Sequence, residues 1–108
     1  MTAYAYLRVS TDQQDLNNQR HGLLEYANAQ GLGRLTFVED AVSGRVGWRQ
    51  RAVGRLLAET AQAGEAVVFA EVSRMARSTL QVLEMLEFCM QRGLIVHIAK
   101  QRLVLDGS

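Results

Sequence analysis

The chain has 108 residues, 48% of them hydrophobic, and a formal net charge of +1. This describes one globular domain, able to bury roughly 65% of its unfolded surface but too near neutrality to coat a polyanion by charge alone. No apolar run reaches the ~18 residues of a membrane span, the N-terminus lacks the basic and apolar regions of a secretion signal, and the single cysteine, Cys89, rules out an internal disulfide and fits a reducing cytoplasm.

Residues 3–9 begin with an apolar run, Ala3 to Leu7, that reads as a buried strand. A helical pattern over 11–30 follows, with Leu16, Leu23, Leu24 and Ala27 on one face and His21 on the solvated side. Arg8 and Ser10 therefore stand where a strand gives way to a helix, the edge of an open α/β sheet at which ligands bind. The free N–H groups and positive dipole end of a helix N-terminus suit a phosphate there. Ser10 with Gln13, and Thr11 with Gln14, also have capping-box spacing. Capping is the commoner use of such a serine, but Thr11 can cap and leave the Ser10 hydroxyl free.

A second strand is expected at 35–39, then a polar loop holding Gly44 and Gly47, then a helix over 49–63. Residues 41–58 contain Arg45, Arg49, Arg51 and Arg55 and no acid, whereas residues 1–40 carry three basic and five acidic side chains. Arginine outnumbers lysine eleven to one, which suits forked phosphate contacts, although a GC-rich codon bias gives the same excess. Trp48, beside Arg49, reads as a packing anchor before a stacking platform.

The run Ala66 to Ala70 marks a third strand, over 66–71, which leads into EVSRMARS. Arg74 and Arg77 thus fall in a second strand-to-helix connection, and Ser78 with Gln81 makes another capping box. A helix follows over 79–92, with Cys89 on an apolar face beside Val82, Met85 and Leu86, where a packed thiol is expected. A strand at 94–99, in which His97 alternates with apolar residues, and a short fifth strand at 102–105 complete the chain. Gly31, Gly64 and Gly93 fall just after the three helices, as C-cap glycines do. This alternation predicts an α/β fold with a mostly parallel central sheet of about five strands and helices on both faces. If the first and third strands are parallel neighbours, their connections open on one edge. Arg8, Ser10, Arg74 and Arg77 then converge.

Three blocks make this chain resemble the catalytic domain of the serine recombinases, the resolvase and DNA-invertase family. They are YLRVSTDQQDLNNQ over residues 6–19, then Val42, Ser43, Gly44 and Arg49, then SRMARS over 73–78. The first is highly specific, the third fairly specific, and the second weak on its own; together the match runs over nearly all of the chain. The resemblance implies that Ser10 is a nucleophile forming a phosphoserine link to DNA, and that Arg8, Arg74 and Arg77 hold the scissile phosphate. It further implies supporting roles for Tyr6, Gln14 and Gln19 and places Ser43 and Arg49 on a mobile loop that completes the site. Two positions depart from the family pattern. Ser73 stands where an aspartate is frequent, as in an invertase-like branch, and Ala58 stands where a lysine is common.

The resemblance also implies DNA as the partner, a homodimer on the site and a tetramer in synapsis, with no membrane involvement. It implies that residues 1–108 are the catalytic domain, with a dimerisation helix and a DNA-reading domain absent from this chain. No cofactor is expected, because a covalent serine ester conserves the bond energy needed for rejoining. No metal is expected either, since no His, Cys or carboxylate cluster has ligand spacing. Two other readings compete. A non-catalytic α/β regulatory domain would place acids, not Arg8 and Ser10, at the first strand end. A small phosphoesterase would use the same serine and arginines on small esters.

Overall fold

The computed structural model describes residues 2–9, 13–41, 47–76 and 78–106, without the side chains of Val9, Ala41 and Arg74. Its strands are β1 (Ala3–Val9), β2 (Leu35–Ala41), β3 (Ala66–Phe69), β4 (Ile95–Ile98) and β5 (Leu103–Leu105). The helices are α1 (Gln13–Ala29), α2 (Ala52–Arg55, continued in wider π-type winding over Leu56–Thr60) and α3 (Thr79–Gln91). One sheet runs β2-β1-β3-β4-β5. β1 pairs in parallel with β2 and β3, β3 in parallel with β4, and β5 returns antiparallel to β4.

Alternation along the strands divides the core between the two faces of the sheet. Ala5, Leu7 and Val68 face α1 and pack on Leu16 and Leu23. Tyr4, Tyr6, Val67, Phe69, Val96 and Ile98 face the other way, against α2 and α3. The buried stripe of α1 is Leu16, Gln19, Leu23 and Ala27, and that of α3 is Val82, Met85 and Cys89, both at helical spacing. The Ser78 hydroxyl accepts the Gln81 N–H at 3.2 Å and starts α3, while Gly93 ends it with a left-handed φ of 74°.

The sheet and its helices follow the sequence-based expectation, with one substantial difference. The helix expected over 49–63 begins as a 3-10 turn at Trp48–Gln50, breaks at an extended Arg51, and only then becomes α2. The reason lies twelve residues upstream. Asp40, at the end of β2, accepts the N–H groups of Ala52 and Val53 at 2.8 and 3.1 Å, so the helix starts where its cap is supplied. The Gly54 Cα lies so close to the turn that a Cβ there would sit 2.5 Å from the carbonyl oxygens of Trp48 and Arg49. β3 is also shorter than expected. It ends at Phe69 and passes through an extended Glu71 into a 3-10 turn at Val72–Arg74.

Candidate active site at the C-terminal edge of the sheet

β1 and β3 are adjacent and parallel, with Tyr6 opposite Phe69, so the connections that follow them leave the sheet on the same edge. Arg8, near the end of β1, is half-buried and directs Nη1 at the Ser73 carbonyl oxygen, 3.5 Å away. The turn carrying the Arg74 backbone thus lies against the end of β1. Ser10, Ser43 and Arg77 lie outside the described residues, as does the Arg74 side chain.

Gln19 is 7% exposed. Its Nε2 donates to the Arg8 carbonyl at 3.1 Å and to Asp15 at 3.0 Å, fastening α1 to the end of β1. Gln14 lies exposed in the first turn of α1. Tyr6 is fully buried, and its hydroxyl donates to Asp40 Oδ2 at 2.7 Å. Burial, then the hydrogen bond and negative charge of Asp40, push the phenol well above its ordinary range, while the charges of Arg51 and Arg8 oppose the shift. Tyr6 is therefore a neutral hydrogen-bond donor inside the fold, positioned to orient Asp40.

Arg49 is held elsewhere. Its guanidinium lies 4.5 Å from the centroid of the Trp48 ring and 5.2 Å from that of Phe88. Phe88 is nine residues into α3, about 13 Å along the helix from its start at this edge. Trp48 is buried and meets Phe88 edge-on at 5.6 Å, so it is the packing anchor expected of it. The arginine that reaches the edge is Arg51. Its Nη2 points at the Met75 carbonyl at 3.5 Å, its charge is felt at Tyr6, and its buried Nε has no protein partner among the described residues.

Sequence reasoning did not single out Arg51, and it missed Asp40 altogether. Two signals were available. Asp40 is the last acid before the acid-free arginine stretch, and no Ser, Thr, Asp or Asn stands beside residue 51 to cap the helix locally. A third residue, Glu71, went unnoticed: one oxygen accepts the Ser73 hydroxyl and the other meets Lys100 Nζ at 3.2 Å. Among the described residues no three His, Cys, Asp or Glu side chains are grouped as a metal ion would need, and no helix is long and apolar enough to cross a membrane.

The same fold occurs in several solved structures. The N-terminal catalytic domain of TP901-1 integrase aligns with a TM-score of 0.73 at 21% identity, over 96% of this chain and 81% of that one. A resolvase family site-specific recombinase from Streptococcus pneumoniae aligns with a TM-score of 0.66 at 20% identity, over 96% of this chain and 75% of that one. The C-terminal catalytic domain of ISC1926 TnpA, an IS607-like serine recombinase, aligns with a TM-score of 0.67 at 22% identity, over 92% of this chain and 67% of that one. In sequence, a protein described as resolvase from Clostridium perfringens (strain 13 / Type A) is 30% identical over 88 residues, which are 82% of this chain and 43% of that protein. The chain thus spans less than half the length of this curated relative. The family model for the resolvase N-terminal domain matches residues 3–107, which include every residue of the sheet and its helices, and the chain belongs to that family.

Proposed function

We propose that this chain is the catalytic domain of a serine site-specific recombinase that cleaves and rejoins DNA through a 5′-phosphoserine intermediate on Ser10. The observation that carries this reading is the parallel pairing of β1 with β3. It sets Arg8 against the Val72–Arg74 turn on one edge of the sheet, in a domain of the resolvase family. In the proposed reaction the Ser10 Oγ attacks the scissile phosphorus and loses its proton. The P–O3′ bond breaks, and the departing 3′ oxygen takes up a proton as a free hydroxyl. Rejoining reverses these steps with the 3′ hydroxyl of another strand. Charge develops on the phosphate oxygens, and arginine meets it with a planar fork that stays protonated at any working pH. Arg8, Arg74 and Arg77 are the proposed donors, joined by Arg51, whose parked position on a main-chain carbonyl is nearer this edge than that of Arg49. A fixed donor of this kind is worth roughly 10²–10³ in rate.

On this reading Gln19 positions β1 through the Arg8 carbonyl, and Gln14, Ser43 and Arg49 act on the substrate side of the site. DNA is the substrate, the working species on a recombination site is a homodimer that pairs into a tetramer, and the compartment is the cytoplasm. Residues 1–108 supply the chemistry, and sequence readout belongs to a separate element. The test is to incubate the intact protein with a nicked suicide duplex and map any covalent adduct by mass spectrometry. The 5′-phosphate should be found on Ser10, and Ser10→Ala should yield no adduct. An adduct that persists in Ser10→Ala would overturn the assignment.

A further inference from the structure

Glu71 has no part in the reading above, yet it links two connections, β3–α3 and β4–β5. It is extended at the end of β3, immediately before the Val72–Arg74 turn. One carboxylate oxygen accepts the Ser73 hydroxyl within that turn. The other meets the ammonium of Lys100, the only lysine of the chain, at 3.2 Å. Lys100 is itself anchored: its N–H donates to the Ala70 carbonyl at 2.9 Å, and the preceding Ala99 N–H donates to Phe69 at 2.9 Å. The turn is closed by the Met75 N–H on the Val72 carbonyl at 3.0 Å and offers its Ser73 and Met75 carbonyls to Arg8 and Arg51. Both of those contacts are 3.5 Å long, the weak limit of a hydrogen bond. The turn's end is anchored in the core by Met75 and Ala76, and at its exposed start the bond from Ser73 to Glu71 adds to these long contacts. The Glu71 side chain is 27% exposed, whereas Lys100 is 70% exposed and Ser73 lies at the surface, so the ion pair braces the carboxylate modestly and the Ser73 bond is the principal link.

We propose that Glu71 is a positioning residue of the active site: braced by Lys100, its carboxylate orders the β3–α3 turn through Ser73 and thereby sets the turn's arginine-bearing backbone against Arg8. This rests on the recombinase reading, with Glu71 acting through the turn rather than on the phosphate. It also accounts for the serine at residue 73, whose hydroxyl is the handle that the carboxylate grips.

The test compares the wild-type intact protein with Glu71→Ala, Glu71→Gln and Lys100→Met. Single-turnover adduct formation on the suicide duplex, duplex affinity, thermal midpoint and amide exchange of residues 72–76 are followed together. Glu71→Ala should slow adduct formation at least tenfold, leave duplex affinity within about twofold and the thermal midpoint nearly unchanged, and raise exchange within 72–76 alone. Glu71→Gln, which keeps an acceptor for Ser73, should recover most of the rate, and Lys100→Met should give a smaller loss. A wild-type rate in Glu71→Ala, or unchanged exchange in the turn, overturns the proposal. So does a rate loss that merely follows a fallen thermal midpoint, which marks a structural role. If the wild type forms no adduct, the recombinase reading fails, and the exchange measurement still decides whether Glu71 orders the turn.

Discussion

At the scale of single residues, the two arginines that precede α2 are held unequally. Arg49 has its guanidinium over two aromatic rings, whereas Arg51 is half-buried and, among the described residues, makes a long contact with the Met75 carbonyl. Leaving that contact costs little, because a 3.5 Å bond is near the end of its range. Arg51 can therefore turn to a phosphate oxygen, while Arg49 must give up a cation–π contact worth about 0.5–2 kcal/mol. The expected result is that Arg51→Ala lowers the single-turnover cleavage rate by roughly 10², and that Arg49→Ala lowers it by less than tenfold. Single-turnover rates of the two variants check this, and the reverse order would return the role to Arg49.

At the scale of elements, α2 is held from both ends by charges remote in sequence. Asp40 takes the first free N–H groups and the Tyr6 hydroxyl. At the far end Arg92 donates Nε to the Leu57 carbonyl at 3.0 Å and Nη2 to the Ala61 carbonyl at 2.8 Å. An anion at the N-terminus and a cation at the C-terminus both complement the helix dipole. Such support matters because α2 itself is short and passes into π-type winding. Asp40→Ala strips a cap and leaves the buried Tyr6 hydroxyl without its acceptor. Together these should cost about 3 kcal/mol, read as a lower denaturant midpoint at an unchanged m-value. Loss of less than about 1 kcal/mol would mean that water or a neighbouring group takes over the cap.

At the scale of the whole molecule, one buried histidine links α1 to the far half of the sheet. His97 on β4 is 6% exposed, and its Nδ1 lies 2.8 Å from the Tyr26 hydroxyl of α1. Burial lowers its pKa below the ordinary value. The unfolded chain therefore binds a proton more readily than the folded one. This contribution to stability is complete above about pH 6.5 and is lost as the pH falls through the folded value. Unfolding midpoints of the protein should drop between pH 8 and pH 5, and His97→Gln should flatten the difference. An equally steep dependence in the variant would assign the effect to other groups. The second expectation at this scale concerns charge. With a net charge of +1, residues 1–108 neutralise few phosphates. Titration into labelled duplex at about 150 mM salt should show weak binding without sequence preference. Nanomolar, sequence-specific binding by this chain would mean that recognition resides within it.

Local patterns in the sequence were enough for the sheet and for the edge at which Arg8 stands. Apolar runs at Ala3–Leu7 and Ala66–Ala70 read as buried strands, and the helical spacing of Leu16, Leu23 and Ala27 marks the face that α1 buries. Ser78 and Gly93 end α3 where their own backbone preferences require. What remained hidden depends on partners far apart along the chain. The start of α2 depends on Asp40, the contacts of Glu71 on Ser73 and Lys100, and the position of the Arg49 guanidinium on Trp48 and Phe88. No sequence window contains both members of the Arg92–Leu57 or Tyr6–Asp40 pairs, which are 35 and 34 residues apart. Periodicity and capping act within a few residues of their cause, so the sequence by itself determined the elements and their order. A hydrogen bond to a distant carboxylate exists only once the sheet has brought the two ends together, so only the tertiary structure decided how the helix starts and which side chains share the edge.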